Sequence, residues 1–275
     1  MSPGNALRRV DKAVILAAGM GNRISEAAAG TPKPLLALGG NKGEDTFLDW
    51  HLRALSAAGI QEIYIVGNKV THGTRLNAMR TVSAEWILNP TDDLSTSGSG
   101  HSAWFAWKHG ILDGKSRVIL MDADIVYEPS LMIELASASG ERSKTLVASR
   151  YRHTDEEVLV FAEGKNRTPR YHGKGLLGTS LVKGCTCLGE ATGILLWEAR
   201  DHALLKDATD WAIQFSTAKT RSEHEDITQR MMLLDRLDAV TFGGDRLFME
   251  VDTPDEYETL VREMYPRLLE RASRE

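Results

Sequence analysis

Two cysteines in 275 residues leave no material for a disulfide framework. Cys185 and Cys187 sit two apart in "KGCTCLG", where alternate side chains of a strand point the same way without bridging. A lone C-x-C with no second ligand pair is also a poor zinc site, so free thiols are expected. No run of about 18 apolar residues occurs, and the opening "MSPGNALRRVDK" lacks the apolar centre of a secretory signal. Both absences point to a cytoplasmic protein with no membrane partner. Positive charge is in deficit as well. With 33 Lys+Arg against 38 Asp+Glu the formal charge is −5, which excludes a generally basic surface and argues against nucleic acid as a partner. Any polyanion must be held locally. No repeat, low-complexity tract or Pro/Ser-rich linker marks a boundary, so one domain over residues 10–275 is expected. The eight histidines form no helical metal-ligand pair and no nucleophilic triad.

The 42% of apolar residues suffice for a sizeable core. Short apolar runs at 12–17, 62–66, 85–88, 117–121 and 145–148 read as strands and alternate with helical patterns. That is the signature of an α/β fold: a Rossmann-like mixed, mostly parallel sheet flanked by helices. "TFLDWHLRALSAAG" places Phe47, Leu48, Leu52 and Leu55 on one face and ends at a glycine, and a second helix is expected after Gly98. After Arg150 the pattern changes to a strand at 158–162, the turn-rich "EGKNRTPRYHGKG", and a long β-prone run over 179–197. These predict a small β-rich extension over the sheet's edge. Helical spacing returns at 199–219 and 223–236, and "AVTF" with "LFMEV" supplies two closing strands.

Ligands of such sheets bind at the carboxyl ends of the strands, where the unusual residues lie. Gly19 and Gly21 follow the first strand directly, so backbone amides there can approach an anion, and Arg23 adds a bidentate phosphate donor. The dinucleotide fingerprint fails at Ile24 and the P-loop pattern is absent. Lys33, between Pro32 and Pro34, is a cation on a stiff, extended segment. Further on, "VILMDADIVYEP" puts Asp122 and Asp124 on one side of a strand end, a place for a hard cation such as Mg²⁺ unless the two only cap a turn. Asp252 in "LFMEVDTPDEY" is a second candidate ligand, because Thr253, Pro254 and Glu256 already complete a helix start with a capping box.

"LAAGMGNR", followed ten residues after Arg23 by Lys33 in "PKPLL", resembles the L-A-A-G-x-G-x-R-(about nine)-P-K signature of nucleotidyltransferases of the sugar-nucleotide-transferase fold. The resemblance implies a loop of Leu16, Ala17, Ala18, Gly19, Gly21 and Arg23 around a nucleoside triphosphate. It also implies that Arg23 and Lys33 neutralise charge during transfer, and that Asp124 and Asp252 share magnesium. "DAD" with a hydrophobic pair after it, "ATGILLW" and the terminal E-x-D-x-x-x-[DE]-Y pattern look closest to bacterial cytidylyltransferases acting on phosphocholine or small phosphonates. The likeness covers most of the chain, but "STSGSGHSAW" departs from the phosphocholine enzymes. That stretch is similar to the base loop of uridylyltransferases, with Ser97, Gly98 and Ser99 set to receive a flat base, or it serves only as a helix N-terminus. Trp104 and Trp107 behind it are expected in the core.

On the acceptor side Arg150 and Arg152 are candidates to clamp a phosphate or phosphonate, and Glu190 and Asp226 to meet an amine or hydroxyls. Glu225 is a further candidate ligand of the same kind, or forms a capping box with Ser222, which leaves Asp226 the better functional choice. The basic set Arg150, Arg152, Arg170 and Lys174 favours a compact phosphonate bearing a hydroxyl or carboxylate over phosphocholine. The expected reaction is transfer of CMP from CTP to a small phosphonate or phosphorylated alcohol with release of pyrophosphate. Residues about 10–150 form the nucleotide half and about 151–252 the acceptor half. The rivals are a nucleotidyltransferase for a sugar or polyol phosphate using CTP or UTP, a glycosyltransferase using D-A-D as its D-x-D metal motif, and a non-catalytic nucleotide sensor.

Overall fold

The computed structural model describes residues 10–24, 30–41, 44–92, 96–152, 157–164, 167–216 and 221–272. Strand β1 (Val10–Ala17) pairs in parallel with β2 (Glu62–Gly67) on one side and with β4 (Arg117–Asp122) on the other, and β3 (Glu85–Leu88) pairs in parallel with β2. Along β1 the apolar run is buried on both faces. Ala13, Ile15 and Ala17 join one core and Val14 and Leu16 the other, which is why the strand shows no polar alternation.

The first core is closed by Leu48, Leu52 and Leu55 of α1 (Phe47–Ala57) and by Leu131 and Leu135 of α3 (Pro129–Ser137). Helix α1 starts at a capping box in which Thr46 and Asp49 satisfy each other's backbone amides. The second core packs under Trp107 of α2 (Ser99–Lys108), Leu205 of α4 (His202–Gln214), and Ile227 and Met231 of α5 (His224–Leu233).

Beyond β4 the sheet continues through β9 (Thr186–Trp197), β6 (Ser143–Ala148) and β10 (Leu237–Phe242), giving the order β10-β6-β9-β4-β1-β2-β3. Strand β9 runs antiparallel to both β4 and β6. The run over 179–197 is therefore not a cover over the sheet's edge. Its second half, "GILLW", is apolar without interruption because it is buried within the sheet. Only its first half leaves the main sheet, to pair with β7 (Leu159–Glu163), which in turn pairs with β8 (Thr168–Gly173).

Strand β8 lies inside the string read as turns. Among the described residues it pairs on one side only, which lets it carry Pro169. Residues 180–182 form a 3-10 turn rather than strand. The helix read over 223–236 ends at Leu233, with Asp235 at φ +58°, and β10 follows at once. The tail of the helix read over 199–219 falls partly outside the described residues.

A two-stranded ribbon, β5 (Ile125–Tyr127) against β11 (Phe248–Glu250), returns the chain to the end of β4. Helix α6 (Pro254–Thr259), the π-helical stretch Leu260–Met264 and α7 (Tyr265–Ala272) then follow one another, burying Leu260 and Leu268 with Leu36, Phe47 and Trp50. Both cysteines are free. Among the described residues no helix is long and apolar enough to cross a membrane.

Because Leu196 is fully buried between β4 and β6, Leu196→Ala should lower the unfolding free energy by about 3 kcal/mol in urea melts. A loss under about 1 kcal/mol would fit a peripheral strand instead.

Candidate active site

The carboxyl ends of β1 and β4 and the end of β11 open onto a cavity of about 450 Å³. Leu16 and Ala18 form part of its wall, while Ala17 is buried in β1 beneath it. Gly19 lies at the surface of the loop. Gly21 adopts φ +60°, and a Cβ on it would stand 2.8 Å from the Cβ of Lys33, so this position needs glycine for both conformation and space.

Lys33 begins a 3-10 turn between its two prolines and is only 6% exposed. Its Nζ donates to Asp124 Oδ2 at 2.8 Å and to Asp252 Oδ1 at 2.6 Å. Arg23 donates to the other oxygen of Asp252, Oδ2, at 2.6 Å. Burial opposes the charge on Lys33, but the two carboxylates outweigh it and hold the ammonium above its ordinary pKa. Burial likewise opposes ionisation of Asp252, and Lys33 with Arg23 reverses the sign and keeps it below the usual carboxylate range. The capping box forms as expected: Asp252 and Thr253 both donate their backbone N–H groups to Glu256 Oε2, leaving the Asp252 carboxylate outside it.

The third acid here, Glu250, was not assigned from sequence. Oxygens of Asp124, Glu250 and Asp252 lie within 4.8 Å of one another. Desolvation in the cleft and repulsion from Asp124, Asp252 and Asp122 push Glu250 up to about 8. Its side chain still reaches solvent, so the repulsion is the part of that shift which a cation would reverse. The signal was present in the sequence, since side chains two apart on an extended segment share a side.

Asp122 does not join this group. Its Oδ2 lies 2.9 Å from Nε2 of His224, the first residue of α5, and packs against Gly193 at φ +72°, where any Cβ would collide with the carboxylate. The glycine of "ATGILLW" thus has a steric reason. Burial disfavours a charged His224, but Asp122 and Glu225 prevail and raise it to about 10, which favours the imidazolium, while burial in turn lifts Asp122 to about 6 against the pull of His224.

The loop over 96–100 meets the same helix. Ser99 donates to Glu223 Oε2 from its backbone N at 2.6 Å and from its hydroxyl at 2.8 Å, and its hydroxyl accepts from the backbone N of His224 at 2.8 Å. A side chain at Gly98 would strike the Ser222 carbonyl. These glycines admit the 222–224 segment, and the Ser99 amide is already engaged by protein. Ser97, Gly98 and Ser99 nevertheless line the cavity, together with buried Asn89, whose Nδ2 reaches the hydroxyls of Ser97 and Ser102. Nothing in the pattern of the sequence singled out Asn89. Trp107 is buried, while Trp104 is half-buried and donates from Nε1 to Asp210.

The acceptor-side candidates are not brought to this cavity. Arg150 is exposed and lies against Gly244. Arg152 is exposed and pairs with Glu256 at 3.2 Å and Glu157 at 3.4 Å. Glu190 sits beside them, pushed up to about 7 by burial and Glu157 with Arg152 opposing. Asp226 is exposed and accepts from the backbone N of Glu223 at 3.1 Å, so it caps α5. The box expected between Ser222 and Glu225 is thus displaced by one residue, because the helix starts at His224. Ser222 donates instead to the Ala212 carbonyl, and Glu225 faces the cavity beside Arg221 and Glu223.

Residues 13–178 match the MobA-like NTP transferase domain. The chain belongs to this family. It is 32% identical over 130 residues to CMP-5'-(3-aminopropyl)phosphonate synthase of Streptomyces rubellomurinus, a match spanning 46% of this chain and 19% of that much longer protein. The inositol-1-phosphate CTP transferase from T. maritima superposes with a TM-score of 0.70, covering 93% of this chain and 97% of its own at 16% identity, which establishes a shared fold. Family and fold thus agree with what the N-terminal signature implies: a MobA-like NTP transferase domain on a fold shared with that structure.

The raised pKa of His224 sets a pH dependence. Stability from this ring is complete below about 6.5, its unfolded value, and is lost as pH rises through about 10. The difference in urea midpoint between wild type and His224→Gln should therefore shrink steadily from pH 6 to about 10. A difference that stays constant or widens would contradict an imidazolium.

Proposed function

We propose that the chain transfers CMP from CTP to a small phosphonate or phosphorylated alcohol and releases pyrophosphate, using a divalent cation. The observation that carries this reading is the meeting of Arg23 and Lys33 with Asp124 and Asp252 at one end of the sheet, beside the Gly19–Gly21 turn. The relative that makes a CMP-linked phosphonate supports the choice of nucleotide and acceptor class.

The carboxylates fit a metal. Asp124, Glu250 and Asp252 offer only hard oxygen donors, and the elevated Glu250 marks negative charge that Lys33 does not fully offset. These three residues would hold Mg²⁺, which when bound neutralises phosphate oxygens. The chain's own residues do the rest. Arg23 and Lys33 take the triphosphate charge as the acceptor oxygen forms its bond to the α-phosphorus and the bond to the pyrophosphate oxygen breaks.

No general base is required, because a phosphate monoester has a second pKa of about 6 and is already ionised, and a phosphonate has at neutral pH lost at least its first proton and so presents an anionic oxygen to the α-phosphorus. In keeping with this, no histidine lines the cavity among the described residues. His51, beneath the Asp122–Asp124 loop, is held neutral by burial, with a pKa of about 4, and faces the Ala123 carbonyl through Nε2. Arg221, Glu223 and Glu225, which share the cavity wall, are the groups an acceptor would meet first.

Pyrophosphate release should appear with CTP and a phosphonate when four nucleoside triphosphates are crossed with 2-aminoethylphosphonate, 2-hydroxyethylphosphonate, phosphocholine and a sugar 1-phosphate. Release only with the sugar phosphate would replace this acceptor class. Asp124→Asn and Asp252→Asn should each cut kcat by about a hundredfold or more, and Lys33→Ala should lower kcat more than it raises KM for CTP. Full turnover by either aspartate variant at low magnesium would remove the metal site.

A further inference from the structure

We infer that Lys33 is the resident cation of the carboxylate site, so that a divalent metal enters only together with a triphosphate that draws the ammonium away. This rests on the reading of Asp124 and Asp252 as metal ligands, and goes beyond it to the order in which ligands are taken.

Lys33 Nζ lies 2.8 Å from Asp124 and 2.6 Å from Asp252, bridging two of the three carboxylates that could bind a metal. The remaining oxygen of Asp252 is held by Arg23 at 2.6 Å. An ammonium and a dication between the same two aspartates repel each other, so a metal arriving alone must displace Lys33 from both.

The displaced ammonium has nowhere favourable to go. Its side chain is 6% exposed, its backbone is set between Pro32 and Pro34, and its stem fills the space that a Cβ on Gly21 would occupy. A buried charge that loses its partners is costly, and this one cannot swing freely into water to recover hydration. Gly21 belongs to the turn that faces the cavity, so an anion bound over that turn lies beside the Lys33 stem and offers the ammonium new oxygens. Metal and triphosphate then favour each other's binding through a group that contacts one in place of the other, and the coupling is reciprocal. The same two cations that would neutralise phosphates hold Asp124 and Asp252 while the cavity is free of nucleotide.

The test is binding of Mn²⁺ to the intact chain, read from the paramagnetic resonance signal of the free ion, without turnover. In the absence of nucleotide, Lys33→Met keeps the stem, loses the charge and should bind Mn²⁺ about tenfold more tightly than wild type. With a non-hydrolysable CTP analogue the order should reverse, the variant binding the Mn²⁺–analogue complex about tenfold more weakly. Arg23→Gln, at an exposed side chain, should show a smaller gain of about threefold without nucleotide, and it carries the test if a thermal melt shows Lys33→Met to be unfolded. Unchanged or weaker Mn²⁺ binding by the folded variants would overturn the inference. Asp124→Asn separates the two levels of argument. If, with the CTP analogue present, it abolishes Mn²⁺ binding to the protein while the cation variants show no gain without nucleotide, the metal site stands and only the exclusion by Lys33 falls; if it leaves Mn²⁺ binding intact, both fall.

Discussion

Two carboxylates from distant parts of the chain, Asp124 and Asp252, are held about one ammonium ion apart by Lys33. Without a cation between them their repulsion would force the end of β4 away from the segment after β11, and Glu250 adds to it. The β5–β11 ribbon delivers the second acid to the first, and the helix that begins at Thr253 fixes its backbone through Glu256. The cost of assembling this charge is met in the fold by the apolar cluster beneath it, where Leu36 and Phe47 from the N-terminal half pack with Leu260 and Leu268 from the C-terminal helices.

A second joint closes the opposite side of the cavity and has a different chemical character. There the imidazolium of His224 ties Asp122 to α5, Glu223 on the same segment receives the Ser99 amide, and glycines 98 and 193 remove the side chains that would keep these pieces apart. The two aspartates of "DAD" thus face different partners within a few ångströms: Asp124 shares Lys33 with Asp252, and Asp122 is committed to a histidine from the far half of the chain.

How much of this could be read in advance follows from the range of each interaction. Local signals served well: the Thr253 capping box, the buried run of β1 and the isolated proline-flanked lysine are all decided within a few residues. Tertiary placement was less legible. Whether "GILLW" is central or peripheral depends on which strands flank it, and the helix start at 222–224 shifts because Glu223 is drawn into a contact with Ser99, far away in sequence. Asn89 and Glu250 gain their positions only when β3 and β11 take their places. Arg150 and Arg152 looked like anion clamps as basic residues after a strand, yet Arg152 is engaged by Glu157 and Glu256, and neither arginine reaches the cavity wall.

The antiparallel placement of β9 also bears on how the chain is made. The segment matching the family ends at residue 178, before β9 begins at Thr186. On a ribosome releasing residues in order, β4 and β6 would both have emerged while the strand that joins them was still missing, each with backbone donors and acceptors exposed along an unpaired edge. Sheet closure must wait for Trp197, and its pairings are long-range in sequence, which slows folding and extends the time that those edges are open to other chains.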